Sequence, residues 1–279
     1  MVLKLLGDKP LGSRDAEVVG HALDLDPVAM CMVAARVEEQ GVSPRSLGGE
    51  LWSNGDPLTA LCFSGANLIP LLGDAEDIAA FAARALRSPR MCSSVVGRAE
   101  HVMEFWRHAS SQWGPAREVR SDQPLLAMSG PPAIAPDPGV RRVRITEIDA
   151  YLPAAIDMFT GEVGVDPCLG DGGRSYRRRI AALIRAGRAY ARFDDGEVVY
   201  KAEVGSMSRR VGQIQGVWVS PKRRGKGLGA AGTAAVVAAI TAESRTASLY
   251  VNSFNHPARA AYRRVGFDEV GTFATILVD

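Results

Sequence analysis

The sequence predicts an α/β (α+β) protein with a mixed, mostly antiparallel sheet flanked by helices, built in two halves. Three observations predict it. Apolar residues make up 47% and charged residues 23% of the 279 positions, the balance of a globular chain with room for a large core. Short runs of strand-like alternation, separated by turn residues, interleave with runs of helical period. A stretch with four prolines, 129–139, also divides the chain where its charge changes sign. Residues 1–139 carry 12 basic and 17 acidic side chains, net −5, and residues 140–279 carry 21 and 14, net +7. Pro and Gly at that density continue neither a helix nor a central strand. Residues 130–139 therefore read as a semi-rigid linker between a domain at 1–129 and a domain at 140–279.

In the second half, 140–145 alternates apolar and Arg residues as a half-exposed strand does. Helices follow at 149–160 and at 175–186, the latter with a basic face. Strands at 189–193 and 198–204 are joined by Asp194-Asp195-Gly196, a strong hairpin signal. A strand at 213–219 halts at Ser220-Pro221. Then come a helix over 228–243, a strand at 247–251, a helix at 257–265 closed by Gly266, and a final strand at 270–278. The first half runs in a similar order. It has helices at 15–23 and 27–40, a hairpin of 58–63 with 67–72, a helix at 75–86, a strand at 92–96, a helix at 99–112 and a strand at 125–128. That order makes the first half a degenerate copy of the second, matched in elements and not in residues.

Several function classes drop out on composition. The four cysteines, Cys31, Cys62, Cys92 and Cys168, stand far apart without a CxxC pair, so they read as reduced thiols of a cytoplasmic protein. The opening Met1–Asp8 is too short and too soon polar for a signal peptide, and the longest apolar run, 228–240, is too short for a membrane span. The histidines His21, His101, His108 and His256 never gather at ligand spacing, so no metal is expected. Arg174, Arg177, Arg178 and Arg179 form a cationic cluster, but no aromatic residues interleave with it, which argues against nucleic acid and for a solvated helix face.

The strongest chemical signal is Arg224-Gly225-Lys226-Gly227-Leu228-Gly229, lying between a strand and a helix. Glycines there let the backbone approach a ligand and aim several N–H groups at it, and the helix start adds the positive end of its dipole. Lys222, Arg223, Arg224 and Lys226 raise the potential further, so a phosphate or pyrophosphate is the natural occupant. The P-loop pattern fails, because no glycine stands five residues before Gly225 and no Ser or Thr follows Lys226. Gly227-x-Gly229-x-x-Gly232 fits the dinucleotide spacing. However, the next strand ends in Val251-Asn252-Ser253 without the acid that would hold a ribose. In the first half the matching stretch is Gly73-Asp74-Ala75-Glu76-Asp77, whose three acids suit a helix start but repel a pyrophosphate.

Two segments together carry a resemblance. Gln213 to Pro221 followed by Arg224-x-x-Gly227-x-Gly229 resembles motif A of the GCN5-related N-acetyltransferases (GNAT). Leu249-Tyr250-Val251, Asn255, Ala258, Tyr262 and Gly266-Phe267 resemble motif B, about twenty residues on. The layout is similar to actinobacterial members with an N-terminal domain of unknown function, and 28 Arg against 5 Lys suits such a source. The resemblance implies the GNAT fold over 140–279 and a degenerate GNAT-like N-terminal domain. It also implies acetyl-CoA as co-substrate and an amine, on a small molecule or a protein, as acceptor.

By the same resemblance, the backbone of Val217, Trp218 and Val219 pairs with the pantetheine arm. Arg224 and the amides of Gly225, Lys226, Gly227, Leu228, Gly229 and Ala230 hold the pyrophosphate. Asn255 bonds the pantetheine side; read from the residues alone, it is the N-cap of the following helix. Tyr262 is the candidate acid that protonates the departing thiolate, with a core aromatic as its plainer reading. Glu203 is the candidate base, acting through water, with Glu162 as a second carboxylate, because the motif A strand offers only Gln213 and Gln215. The loop 162–173 borders the acceptor side as a substrate lid. Other uses of the same fold stay open: a longer acyl-CoA or aminoacyl-tRNA donor, or a non-catalytic CoA-binding regulator. The first half is expected to frame the acceptor pocket or a homodimer contact.

Overall fold

The computed structural model describes residues 10–279; the opening stretch 1–8, read above for a signal peptide, lies outside them. The chain divides into two compact units. Unit 1 takes the described residues up to Leu125, Tyr250–Ser253 and Glu269–Asp279, and unit 2 takes Leu126–Leu249 and Phe254–Asp268. No helix among the described residues is long and apolar enough to cross a membrane.

In unit 1, α1 (Ala16–Leu23) and α2 (Cys31–Gln40) turn Val19, Ala22, Leu23 and Val33 into one core layer. The short α3 (Pro44–Leu47) starts on a proline and stops at Gly48, which is left-handed. Three antiparallel strands follow: β1 (Gly49–Ser53), β2 (Leu61–Gly65) and β3 (Asn67–Leu72). The sequence reading had no strand at 49–53, because a five-residue stretch opening Gly-Glu carries too little alternation to announce itself. Helix α4 (Ala75–Leu86) then returns the chain to β4 (Ser94–Arg98), which runs parallel to β3. Helix α5 (Ala99–Trp113) leads into β5 (Glu118–Met128). The apolar faces of α4 and α5 bury Ile78, Phe81, Val102 and Phe105.

Unit 2 opens with a two-residue strand, β6 (Arg141–Arg142), where a strand over 140–145 was expected. It is cut short by a 3-10 turn at Ile145–Glu147, whose Glu147 side chain accepts from the Arg144 backbone and binds Arg141. Helices α6 (Ile148–Val163) and α7 (Arg174–Arg185) bury Tyr151, Ala155, Ile180 and Ile184. Strands β7 (Ala189–Asp194), β8 (Glu197–Met207) and β9 (Val211–Val219) form an antiparallel meander with β6. Asp195 and Gly196 both have positive φ, 50° and 81°, as the first tight turn of that meander requires. Helix α8 (Leu228–Thr241) crosses over to β10 (Thr246–Tyr250), parallel to β9, and α9 (His256–Val265) follows. Each unit thus has an antiparallel meander followed by one parallel crossover.

Two features depart from a clean division at 129–139. The final strand, β11 (Asp268–Leu277), pairs antiparallel with β4 of unit 1, Phe273 opposite Arg98 and Leu277 opposite Ser94. Its alternate residues fill both unit 1 cores, Phe273 in one and Ala274 and Ile276 in the other. The proline-rich segment is also no free spacer. It lies in unit 2, where Ala133 donates to the Val265 carbonyl, Asp137 donates to the Ala231 carbonyl, and the buried Asp137 carboxylate binds Arg192 at 2.9 Å.

Candidate active site

All the residues singled out for chemistry fall in unit 2: Glu162 near the end of α6, and the rest on β8, β9, the loop after it, and helices α8 and α9. β9 sets the geometry. Lys201 pairs with Trp218 and Glu203 with Gln215, so β9 has one residue more than β8 between those points and bulges there. Gly216 takes the strained position with φ 58°, and a Cβ on it would stand 2.8 Å from the Met158 methyl and 3.2 Å from Lys201 Nζ. β10 follows β9 in parallel only from Val211 to Gln213. The two strands have therefore parted where β9 reaches Val217, Trp218 and Val219, leaving that edge for an added extended chain. Trp218 is held from the side, its indole donating to Asp157 of α6 at 2.8 Å.

Beyond Pro221–Arg223, a 3-10 turn, the chain enters the exposed loop Arg224 to Gly227. Gly225 and Gly227 have φ of 74° and 82°, and a Cβ on either would meet nothing within 4 Å. They are there for backbone conformation and not for lack of room. Gly227 is the N-cap of α8, so that helix starts without any side-chain cap. Its first amides, on Leu228, Gly229 and Ala230, sit at the positive end of the dipole. Arg223 binds Asp194 at 2.8 Å, and Arg224 donates to the Val219 carbonyl at 3.1 Å, so the loop is braced on both sides. Gly232 serves packing instead. A Cβ there would lie 2.6 Å from the Tyr200 ring, so it sets how closely α8 approaches β8.

The equivalent helix start in unit 1 is closed. Asp74 caps α4 by accepting from the amides of Glu76 and Asp77, and Asp77 accepts in return from the Asp74 amide. The helix's own carboxylates thus occupy the place an anion would take.

Glu203 is buried, 1% exposed, and bonded to Lys201 Nζ at 2.6 Å, with Lys201 itself fully buried. Tyr151 donates to the same oxygen at 3.1 Å, and Gln215 Nε2 lies 3.4 Å from the other. Burial pushes the Glu203 carboxyl up, but the charge and hydrogen bond of Lys201, with Arg179 and Gln215, outweigh it and hold it below its ordinary value. The sequence reading missed Lys201 and Tyr151. Lys201 was legible, because residues two apart on a strand share a face; Tyr151, on a distant helix, was not. Two further polar atoms in this layer, Gln213 Nε2 and Ser248 Oγ, are buried without a hydrogen-bond partner among the described residues and sit on paired positions of β9 and β10.

Tyr262 lies on the inner face of α9, 7% exposed, edge-on to Phe267 with centroids 6.0 Å apart. Burial, and then the negative charge of Glu162, push its phenol well above the ordinary value, so it carries its proton at neutral pH. Asn255 caps α9, accepting from the Ala258 amide at 3.3 Å, and is exposed. Of the arginine cluster, Arg177 binds Asp149 at 2.5 Å, Arg178 donates to Ser175, and Arg174 donates to the Asp171 carbonyl.

This arrangement has relatives. Residues 199–276 match the family model described as FR47-like protein, and residues 49–151 match that of a domain of unknown function, DUF4081. A Drosophila protein of solved structure is 17% identical, with a TM-score of 0.68 over 97% of this chain and 98% of that one. The chain has the fold of the GCN5-related N-acetyltransferases. A GNAT-family acetyltransferase from Colwellia psychrerythraea matches over 97% of this chain and 99% of its own, at 11% identity and a TM-score of 0.54. A tandem GNAT protein from the clavulanic acid biosynthesis pathway matches over 96% and 97%, at 16% identity and a TM-score of 0.51. At such identities the likeness establishes the fold. No curated protein sequence matches the chain.

Proposed function

We propose that the protein is an acyltransferase that moves an acetyl group from acetyl-CoA to an amine by direct attack in a ternary complex. The observation that carries this is the uncapped start of α8, behind two positive-φ glycines and beside a β9 edge that β10 has left. A pyrophosphate suits the amides from Gly225 to Ala230 together with Arg224 and Lys226. An amide-bearing arm suits the edge Val217 to Val219. Asn255, at the head of α9, serves the same arm while it caps its helix. When bound, the cofactor supplies an activated thioester.

The chain's own groups do the rest. Backbone N–H groups near the β9 bulge polarise the acyl carbonyl. Tyr262 holds a proton at neutral pH and gives it to the sulfur that leaves. Glu203 is sealed behind Lys201, so it receives the amine proton through water near Gln215 rather than by contact; the exposed Glu162 is the alternative acceptor of that proton. The acceptor is an amine of a small molecule or a protein, selected by the loop between α6 and α7.

Calorimetry with acetyl-CoA, longer acyl-CoAs and CoA, followed by free-thiol release over an amine panel, tests the reading. Binding of acetyl-CoA with amine-dependent thiol release is expected. Binding to none of the three would overturn it, preference for a longer chain would change the donor, and binding without turnover over a broad panel would turn the enzyme into a CoA sensor.

A further inference from the structure

Unit 1 holds a cavity of about 820 Å³ among the described residues, with no part in the chemistry above. Its walls include Glu50 and Trp52 of β1, Arg84 near the end of α4, Arg87 and Arg90 just beyond it, and Trp113 at the end of α5. The volume is that of a small-molecule site.

Three arginines against one carboxylate give these walls a net positive charge, in the half of the chain whose net charge is −5. Guanidinium groups do not shed their protons, so this repulsion is not relieved by titration. The dipole of α4 accounts for Arg84 and Arg87, which sit at its C-terminal end, but not for Arg90, three residues further on. The arginines are also organised on aromatic faces. Arg84, its side chain only 10% exposed, lies 4.6 Å from the Trp52 ring centroid, and Arg90 lies 5.8 Å from that of Trp113. Glu50 orients the first pair: it accepts from the Trp52 indole at 2.7 Å and stands 3.7 Å from Arg84. Stacking engages the face of a guanidinium, while carboxylates and phosphates are read by its edge.

We infer that this cavity binds a small organic anion, a carboxylate or phosphate monoester on a flat apolar body, with the arginines taking the charge and the two indoles the ring. The site lies at the opposite end of α4 from its self-capped start, so it is not a remnant of a pyrophosphate cradle.

The probe is 8-anilinonaphthalene-1-sulfonate, an anion on a flat apolar body, titrated into the full chain with tryptophan excitation so that energy transfer reports binding. One saturable equivalent is expected, displaced by phenyl phosphate or by benzoate and not by benzyl alcohol. The better of the two anions distinguishes phosphate from carboxylate. R87Q/R90Q should weaken the dye by about tenfold or more, as loss of charge-assisted bonds does, while R87K/R90K, which keeps the charge without the planar fork, should fall between it and the wild type. R224Q/K226Q, in unit 2, should leave it unchanged, so failure here is distinct from failure of the acyltransferase reading. Absence of saturable binding, equal displacement by the neutral alcohol, or wild-type affinity in R87Q/R90Q would overturn the inference. Should R87Q/R90Q fail to fold, the competitor series on the wild-type chain and the lysine variant still decide it.

Discussion

Lys201 and Glu203 form a hydrogen-bonded pair in the interior of unit 2, where burial holds the Lys201 amine below its ordinary value, and Tyr151 and Gln215 both direct a donor at Glu203. Removing one partner of a buried pair strands the other, which costs about 3–5 kcal/mol. Glu203→Gln should therefore lower stability in urea by that order, and a double replacement of Lys201 and Glu203 by apolar residues should cost less than the single change. A carboxyl held below its ordinary value lends stability that is present above that ordinary value and is lost as pH falls through the lowered one. Urea midpoints for the wild type should fall across that acid range more steeply than those of the apolar double variant. Tyr262 makes the opposite case. Its phenol keeps its proton well past neutrality, so any alkaline loss of activity near pH 8–9 belongs to another group. Tyr262→Phe should cut kcat by about 10²-fold or more with little change in KM; equal losses in acetyl-CoA binding would make it a core aromatic. Both residues were legible in the sequence, Glu203 from its place on a strand and Tyr262 from motif B. What the sequence hid was the burial of Glu203, because a strand's alternation says which residues share a face and not what covers that face.

The two helix starts, on α8 and α4, are built from the same element order with opposite chemistry. Gly227 at φ 82° leaves the amides of α8 to a ligand, whereas Asp74 and Asp77 consume those of α4. Gly227→Val forces a side chain into the left-handed region at roughly 1–2 kcal/mol. It should weaken acetyl-CoA binding by calorimetry far more than it lowers the melting temperature. Asp74→Ala should do the reverse, costing about 1 kcal/mol of stability with no effect on acetyl-CoA binding. These starts were readable because a cap depends on residues within four positions of each other. The bulge at Gly216 was not, since it exists only against the register of β8, and β1 went unseen for want of length.

The last strand joins the chain's end to its beginning. β11 is made after every element of unit 2, yet its Phe273, Ala274 and Ile276 complete the cores of unit 1. Each large apolar side chain is worth about 1.5–3 kcal/mol when buried, and whole domains are stable by only about 5–15 kcal/mol. A fragment of residues 1–129 should therefore fail to give a cooperative thermal transition. A chain ending after Phe267 should lose protection from proteolysis within unit 1, and a peptide covering 268–279 added in trans should restore it. A fragment 1–129 that melts cooperatively would show that β11 is dispensable.

Local rules were enough for the element order from residue 140 on, the hairpin at Asp195-Gly196, the open helix start at Gly227 and the closed one at Asp74, because turns and caps are set by neighbours along the chain. Three things needed the folded molecule: the pairing of β11 with β4, the burial of Lys201 with Glu203, and the seating of the proline-rich segment on α8 and α9. An apolar strand offers the same hydrogen bonds to any edge of a sheet, and a polar residue the same side chain to core or solvent. Which one it meets is decided by residues far from it along the chain.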